Sequence, residues 1–287
     1  CFPVYAYGTE AQKMKYLKPC ASGEYLGCYG LTEAGAGSDP AGMRTTAVKD
    51  GDQWIINGEK KFITNGNVAR YAVIAAVTDK EQEYKGISSF VMDLENTPGF
   101  KVGRVEEKMG ILASGTSELV FEDARVPADA LLGNEGEGFK QMLTTLDGGR
   151  IGIASQAIGI GRSVLEDAVT YAKTREQFGK PITAFQAIQW KLADMATELD
   201  AAELLTLRAA WLESHKKPYE KEAAMAKMYA SDAAMRASVE GVQILGGYGY
   251  SKEYPMERHM RDAKICQIYE GTNEIMRLVV AKNLIKG

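Results

Sequence analysis

The hydrophobic period of this chain changes near residue 133, and that change dictates two differently built halves. Before it, apolar residues come in short runs. These are Trp54-Ile55-Ile56, Lys61-Phe62-Ile63-Thr64, Tyr71 to Val77, Ile87 to Leu94, Phe100 to Val105 and Ser117 to Phe121. Asn57-Gly58 follows the first run and Asn65-Gly66 the second, and Asn-Gly is a type I′ hairpin signature. Short, evenly spaced strands with no helix between them predict a small antiparallel barrel or sandwich. A short helix from Glu10 to Ala21 precedes them, and Pro127 and the glycines from Gly133 close the series. Beyond Gly136 the spacing is helical. Ile188, Leu192, Met195 and Leu199 step by four, three and four, an apolar stripe on one face. Thr183-Ala184-Phe185-Gln186 reads as the capping box that opens this helix. Residues 138–173, 184–214, 221–245 and 273–285 give four long helices, enough for a bundle.

Charge and composition narrow the function. The 287 residues carry a net charge of −4, and the isoelectric point is near 5.5. That argues against a nucleic-acid partner, because phosphate binding needs a basic surface. No apolar run reaches the length of a membrane span. Cys1, Cys20, Cys28 and Cys266 form no CxxC pair and fit a reducing compartment. The two histidines, His215 and His259, exclude a His-rich metal site and leave little for a Ser-His or Cys-His nucleophile. No metal centre is expected. The first residue is Cys1, not Met, which reads as a fragment or a processed product. The absence of a visible targeting segment therefore carries no information.

Four glycine-associated loops carry the candidate chemistry. Ile268-Tyr269-Glu270-Gly271-Thr272-Asn273-Glu274-Ile275 sets a carboxylate just before a glycine, in a loop feeding the last helix. Ile275, Leu278, Val279, Leu284 and Ile285 follow at helical spacing, and Thr272 or Asn273 can cap that helix. Gly271 lets a ligand come close beside Glu270. A solvated glutamate is the ordinary reading of such a position, and a mounted base the alternative. In Tyr29-Gly30-Leu31-Thr32-Glu33-Ala34-Gly35-Ala36-Gly37-Ser38-Asp39 the glycines can turn successive N–H groups toward an anion, or simply form a loop between strands. The segment lacks the third glycine of a dinucleotide fingerprint. Arg175-Glu176-Gln177-Phe178-Gly179-Lys180-Pro181 joins two helices. Its Arg and Phe suit a charged planar ligand, or equally a helix C-terminal charge and a packing aromatic. Gln243-Ile244-Leu245-Gly246-Gly247 is a helix end with a glycine C-cap. Gln186 is accounted for by the capping box.

Taken in order, these segments together with Leu146-Asp147-Gly148-Gly149-Arg150 resemble the acyl-CoA dehydrogenase family of flavoenzymes, most closely its short-chain, butyryl-CoA branch. The resemblance implies an α+β fold with an antiparallel β-barrel middle domain followed by a C-terminal four-helix bundle. Residues 1–23 would end a largely missing N-terminal helical domain, with the barrel at 24–133 and the bundle at 134–287. The implied cofactor is FAD. Tyr29, Leu31, Thr32, Gly37, Ser38, Phe62, Ile63 and Thr64 would bind it from the barrel, with Thr32 and Thr64 at the flavin edge and Phe62 flanking the ring, where many relatives carry Trp. Arg175, Phe178, Gln186, Gln243, Ile244, Leu245, Gly246 and Gly247 would hold its pyrophosphate and adenosine, and Thr272, Asn273 and Glu274 would add a phosphate contact at a helix N-terminus.

Ser38, Asp147, Arg150, Tyr269 and Gly271 would contact the CoA thioester, and Glu270 would be the catalytic base. Relatives that carry their base on the helix after the barrel would place it at Gly149, which cannot serve. The implied reaction removes the α-proton of an acyl-CoA to Glu270 and a hydride from the β-carbon to flavin N5, giving the trans-2-enoyl-CoA. Electrons would pass to an electron-transfer flavoprotein, and the assembly would be a homotetramer in a bacterial cytoplasm or a mitochondrial matrix. An acyl-CoA oxidase, an enoyl-CoA reductase or a truncated non-catalytic relative are the alternatives on the same scaffold.

Overall fold

The computed structural model describes residues 1–286, and it separates into two compact units. The first holds residues 1–108 and 112–145, and the second holds 109–111 and the chain from 146 on.

The first unit opens with short helices α1 (Phe2–Tyr7), α2 (Glu10–Gln12) and α3 (Lys18–Ala21), the last two joined by a π-helical turn at Lys13–Leu17. Eight strands follow: β1 (Gly27–Gly30), β2 (Thr46–Asp50), β3 (Gln53–Thr64), β4 (Tyr71–Val77), β5 (Ile87–Asp93), β6 (Phe100–Val105), β7 (Thr116–Pro127) and β8 (Leu131–Leu132). They lie in one sheet in the order β6-β7-β3-β2-β4-β5-β8, with β1 against β4. The described pairings form an open path from β6 to β8. The sheet is mixed, not wholly antiparallel. The chain enters β1 running parallel to β4, and β2 meets β4 in parallel at Thr46 and Val77.

Asn57-Gly58 does not turn a hairpin. It lies inside the twelve-residue β3 as a bulge, where the register with β7 shifts between Ile56 and Gly58. Gly58 has φ +139° there, and a Cβ would fall 2.6 Å from the Thr45 hydroxyl. Asn57 spends its side chain across the strands, donating to Asp123 Oδ1 at 3.0 Å and accepting the Asp123 N–H at 2.7 Å. The hairpin that feeds β3 is instead turned at Gly51, with φ +61°. Alternate residues of β3 and β7 fill the core with Trp54, Ile56, Leu119, Phe121 and Val126, and Trp54 packs edge-on to Phe90 at 5.3 Å.

A charged pair is buried in the first unit. Lys60 is wholly buried on β3, and its Nζ donates to Glu33 Oε1 at 2.7 Å and to the Leu31 carbonyl at 3.3 Å. The Glu33 carboxylate also accepts the N–H groups of Arg44 (2.6 Å) and Thr45 (3.0 Å). This pair ties the glycine-rich loop to the sheet.

Helix α4 (Gly138–Thr174) carries the chain into the second unit, where α5 (Gln186–Ser214), α6 (Glu220–Leu245), α7 (Gly247–Tyr250), α8 (Met256–Cys266) and α9 (Asn273–Lys286) follow. Between α4 and α5 lies a two-residue hairpin, β9 (Glu176–Gln177) with β10 (Lys180–Pro181). Helix α6 packs against α5, α8 and α9. Its inner face is alanine, with Ala223, Ala226, Ala230, Ala233, Ala234 and Ala237 all buried, so neighbouring helices approach closely.

Two local expectations fail here. Helix α5 begins at Gln186 behind a 3₁₀ turn at Ile182–Ala184. Its N-cap is Phe185, with no side-chain cap, so there is no capping box. Thr183 takes part through its carbonyl, which accepts Gln189 Nε2 at 2.8 Å. In α9 most of the apolar stripe lies outside: Leu278, Leu284 and Ile285 are exposed and Ile275 and Val279 half-buried, while Asn273 and Met276 face inward. No described helix is long and apolar enough to cross a membrane. No described cluster of His, Cys, Asp or Glu could hold a metal.

Replacing Lys60 by Met strands the buried Glu33 carboxylate without its cation. We expect a loss of about 3–5 kcal/mol in urea unfolding. The double replacement Glu33→Leu/Lys60→Met should recover most of it.

Candidate active site

After α8 the chain makes one more turn, with the Ile268 N–H on the Ile265 carbonyl at 2.8 Å. The backbone then flips. Glu270 has φ +52° and Gly271 φ +95°, so two successive residues sit in the left-handed region. Gly271 takes this freely. For Glu270 such a conformation costs on the order of 1–3 kcal/mol and persists only where the surroundings impose it. The flip lets the Gln267 carbonyl accept the Asn273 N–H at 3.0 Å, and α9 starts there. Thr272 caps α9, its Oγ1 accepting the Ile275 N–H at 3.3 Å.

Buried side chains impose the flip. Arg150 Nε donates to the Glu270 carbonyl at 3.3 Å. Lys227 Nζ donates to the Gly271 carbonyl at 2.7 Å and to Asn273 Oδ1 at 3.0 Å. Asn273 Nδ2 reaches Ser231 Oγ at 2.9 Å and Asp232 Oδ1 at 2.7 Å. The Glu270 carboxylate itself is left over. Its Oε2 is buried and has no hydrogen-bond partner. The room for it comes from Gly149 on α4, where a Cβ would fall 2.1 Å from Oε2. Burial pushes the Glu270 carboxyl above the ordinary carboxylate range, and the cations Arg150 and Lys227 pull the other way without cancelling it. Beside it, burial pushes Asp147 up to about 6 despite the Arg150 guanidinium 2.6 Å away. Burial also raises the Tyr269 phenol, whose hydroxyl donates to Gln156 Oε1 at 2.6 Å. A buried, unpaired carboxyl of raised pKa beside a glycine is suited to take a proton from carbon.

Strain marks two other predicted positions. Eight described non-glycine residues have positive φ, and Phe62 (+59°), Phe178 (+54°) and Glu270 are three of them. Phe62 is 60% exposed and Phe178 93% exposed, so neither is explained by core packing. In the first unit, the Lys61 N–H donates to the Thr32 carbonyl at 2.8 Å, which sets Thr32 beside the Phe62–Thr64 end of β3. Leu31 and Ile63 point into the core, so only their backbones can meet a ligand. Gly37, Ser38 and Thr64 are exposed, and the Tyr29 hydroxyl donates to the Met142 carbonyl at 3.1 Å.

In the second unit a cavity of about 530 Å³ is lined by Arg175, Gln177, Ile244, Leu245, Gly246, Gly247 and Tyr248, with Tyr171 at its wall. The Arg175 guanidinium lies 5.7 Å from the Tyr248 ring centre. A Cβ added at Gly246 or Gly247 would meet no atom within 4 Å. An open glycine floor beside an arginine and aromatic rings fits a flat base and a pyrophosphate. Phe178, Gln186 and Gln243 are exposed and stand outside the lining of this cavity.

Comparison with known proteins agrees with this geometry. The acyl-CoA dehydrogenase middle-domain model matches residues 28–124 and the C-terminal-domain model residues 136–285. The chain belongs to the acyl-CoA dehydrogenase family. It is 54% identical over 284 residues to the mitochondrial short-chain specific acyl-CoA dehydrogenase of Bos taurus, covering 99% of this chain and 69% of that one. The structure of butyryl-CoA dehydrogenase from Megasphaera elsdenii superposes with a TM-score of 0.97 at 52% identity, covering 99% of this chain and 74% of the other. A chain solved in work on the electron-transferring flavoprotein of Acidaminococcus fermentans and flavin-based electron bifurcation gives a TM-score of 0.98 at 53% identity, over 100% and 75%.

Within this acyl-CoA dehydrogenase chain, Asp147, Arg150, Tyr269, Glu270 and Gly271 come together in the second unit, while Ser38 belongs to the first. Asn273 has another task. Its N–H and its side chain are both bonded internally, which leaves neither for a phosphate, while Glu274 stands exposed in the first turn of α9. One residue escaped the sequence reading: Lys227, whose signal was a lone cation inside Ala223-Ala224-Met225-Ala226-Lys227-Met228. Gly149 was named there only as a position that cannot carry a base; its importance is the space it leaves.

Gly149→Ala tests that space. Alanine in a helix is worth up to about 1 kcal/mol over glycine, so thermal unfolding should not fall. Dehydrogenase turnover should fall on the order of 100-fold as the displaced carboxylate loses its position.

Proposed function

We propose that Glu270 is the base that removes the α-proton from a short-chain acyl-CoA thioester. The reading rests on one observation: a buried carboxylate oxygen with no partner, raised in pKa and facing the gap at Gly149. The protein is an FAD-dependent acyl-CoA dehydrogenase. Bound FAD supplies the acceptor for the hydride that leaves the β-carbon, so one proton goes to Glu270, one hydride to the cofactor, and a carbon–carbon double bond forms.

Within the second unit, the cation and glycine floor of the Arg175–Tyr248 cavity fit the pyrophosphate of that cofactor. The Glu270 N–H, held by the left-handed turn, polarises the thioester carbonyl as charge develops on its oxygen; one such donor is worth roughly 3–4 kcal/mol where water is excluded. Arg150 fixes the Glu270 carbonyl and is itself fixed by Asp147, so the base and its backbone move as one piece.

We read the sheet of the first unit as the family's middle barrel and α4, α5, α6 and α9 as its C-terminal four-helix bundle, within domains 24–133 and 134–287. We infer a homotetramer as well, supported by the exposed Trp190, Leu204, Leu207 and Trp211 on α5 and by the exposed stripe of α9. An electron-transfer flavoprotein is the proposed electron acceptor.

Glu270→Gln keeps the shape of the side chain and removes the base. With butyryl-CoA in a stopped-flow experiment, the variant should bind FAD and substrate yet lose most of the bleaching of the flavin's visible absorbance. Near-normal bleaching would sink the assignment. Because burial raises the Glu270 pKa, its basic form is lost as pH falls through a value above the ordinary glutamate range, so the wild-type rate should decline on the acid side earlier than an exposed glutamate would allow.

A further inference from the structure

A fully buried lysine that contacts no substrate group needs a reason to be there, since taking an ammonium out of water costs several kcal/mol. Lys227 is 0% exposed in the middle of the alanine face of α6. Its two acceptors are both in the catalytic loop: the Gly271 carbonyl at 2.7 Å and Asn273 Oδ1 at 3.0 Å. They bracket the left-handed turn on the side away from the Glu270 carbonyl, which Arg150 holds. Asn273 is locked in turn by Ser231 and Asp232, one helical turn further along α6. Gln267, at the other end of the loop, also reaches Asp232 Oδ1 at 2.7 Å. Both ends of the loop therefore rest on one face of one helix.

Taking Glu270 as the base, as above, we propose that Lys227 is the positioning residue for it. Its ammonium pins the carbonyl directly after Glu270, holds the strained turn in place, and sets a fixed positive charge behind the carboxylate. Lys227 works through backbone and loop and meets neither substrate nor cofactor.

Charge gives this role a signature that packing alone would not have. The ionisable groups around the loop are Arg150 and Asp147 from α4, Lys227, Asp232 and Glu220 from α6, Cys266 at the end of α8, Tyr269 in the loop itself, and Glu274 and Arg277 from α9. Arg150 and Lys227 are the cations that oppose the burial of Glu270. Burial lowers Lys227 itself to about 8, so at neutral pH it still carries its proton. Removing that charge raises the Glu270 pKa further, so the acid limb of the rate must move to higher pH.

The test replaces Lys227 by Met, of similar length and no charge, in the FAD-loaded enzyme. Four results are expected. The FAD content stays full. With butyryl-CoA, kcat falls on the order of 10- to 100-fold, the size of effect that a small misplacement of a reacting group produces, and KM changes less. The acid limb of the pH–rate profile shifts upward. Amide hydrogen exchange rises in the peptide spanning residues 267–274, with or without FAD bound. A wild-type pH profile and wild-type exchange in that peptide would overturn the proposal, as would exchange rising along all of α6 with no change in the pH profile.

Asn273→Ala guards against a variant that fails to fold. It keeps the ammonium and removes one of its anchors, so exchange in 267–274 should rise while the acid limb stays in place. Unchanged exchange there overturns the positioning role. Glu270→Gln measured alongside separates the two readings. If that variant keeps its turnover, the base assignment fails, and the exchange data still decide whether Lys227 holds the loop.

Discussion

The site depends on a carboxylate kept away from every partner it would ordinarily find. A buried glutamate in a folded protein is normally paired or hydrogen-bonded, and leaving one oxygen bare raises the energy of its charged form. Nothing that touches the Glu270 carboxylate can supply that energy without quenching the base proposed here. The support has to come through the backbone. Arg150 therefore bonds the Glu270 carbonyl, Lys227 bonds the next one, and Asn273 carries the link into α6. Cations hold the main chain on both sides of the turn while the side chain stays free, and their charge keeps the raised pKa from rising further.

The same device appears in the first unit, in a sheet instead of a helix. Lys60 is wholly buried, and its ammonium bonds Glu33 and the Leu31 carbonyl in the glycine-rich loop. In each unit one lysine from a rigid element reaches a backbone carbonyl of a functional loop. Glycine-rich loops have little side-chain volume with which to pack themselves, so an ammonium with three donors on a long stem is an effective anchor. Its burial is costly, and that cost is offset only if the loop adopts the one shape that satisfies the donors. Each anchor therefore selects a conformation more than it adds stability.

Much of this was legible in the residues. Period 2 before residue 133 and period 3.6 after it separated sheet from helix, and α6 and α9 begin and end within a residue or so of the pattern. The misses have physical causes. Asn57-Gly58 carries a hairpin signature, but β7 supplies Asp123 as a cross-strand partner for Asn57, and the pair settles as a bulge in a continuous strand. Parallel pairing of β1 with β4 has no local signal, because it depends on where a distant segment arrives. Helix α8 was hidden by composition: Met256 to Cys266 is nearly half charged, and its buried residues Met256, His259, Ala263 and Cys266 are too varied to show as a stripe. The stripe of α9 is periodic, yet three of its five residues are exposed. Periodicity shows that a face is apolar, not what covers it.

Site residues divided along the same line. Glu270 stood out because glycine and a helix start follow it, and both are sequence features. Which residues bury and oppose its charge was invisible, because Gly149, Arg150 and Lys227 lie 121, 120 and 43 positions away along the chain. Lys227 shows how such a partner can be sought. Along α6 the buried face is alanine at almost every turn, and an alanine face selects for close helix approach, where an ammonium has no room to bend toward solvent. A lysine at that position must find its acceptors inside the fold. The acceptors available to a helix packed on its neighbours are the free carbonyls of loops and helix ends, since those within helices are already bonded. A lone lysine within an alanine-rich helical face thus points to an irregular loop lying against it, and here that loop carries Glu270, the proposed base.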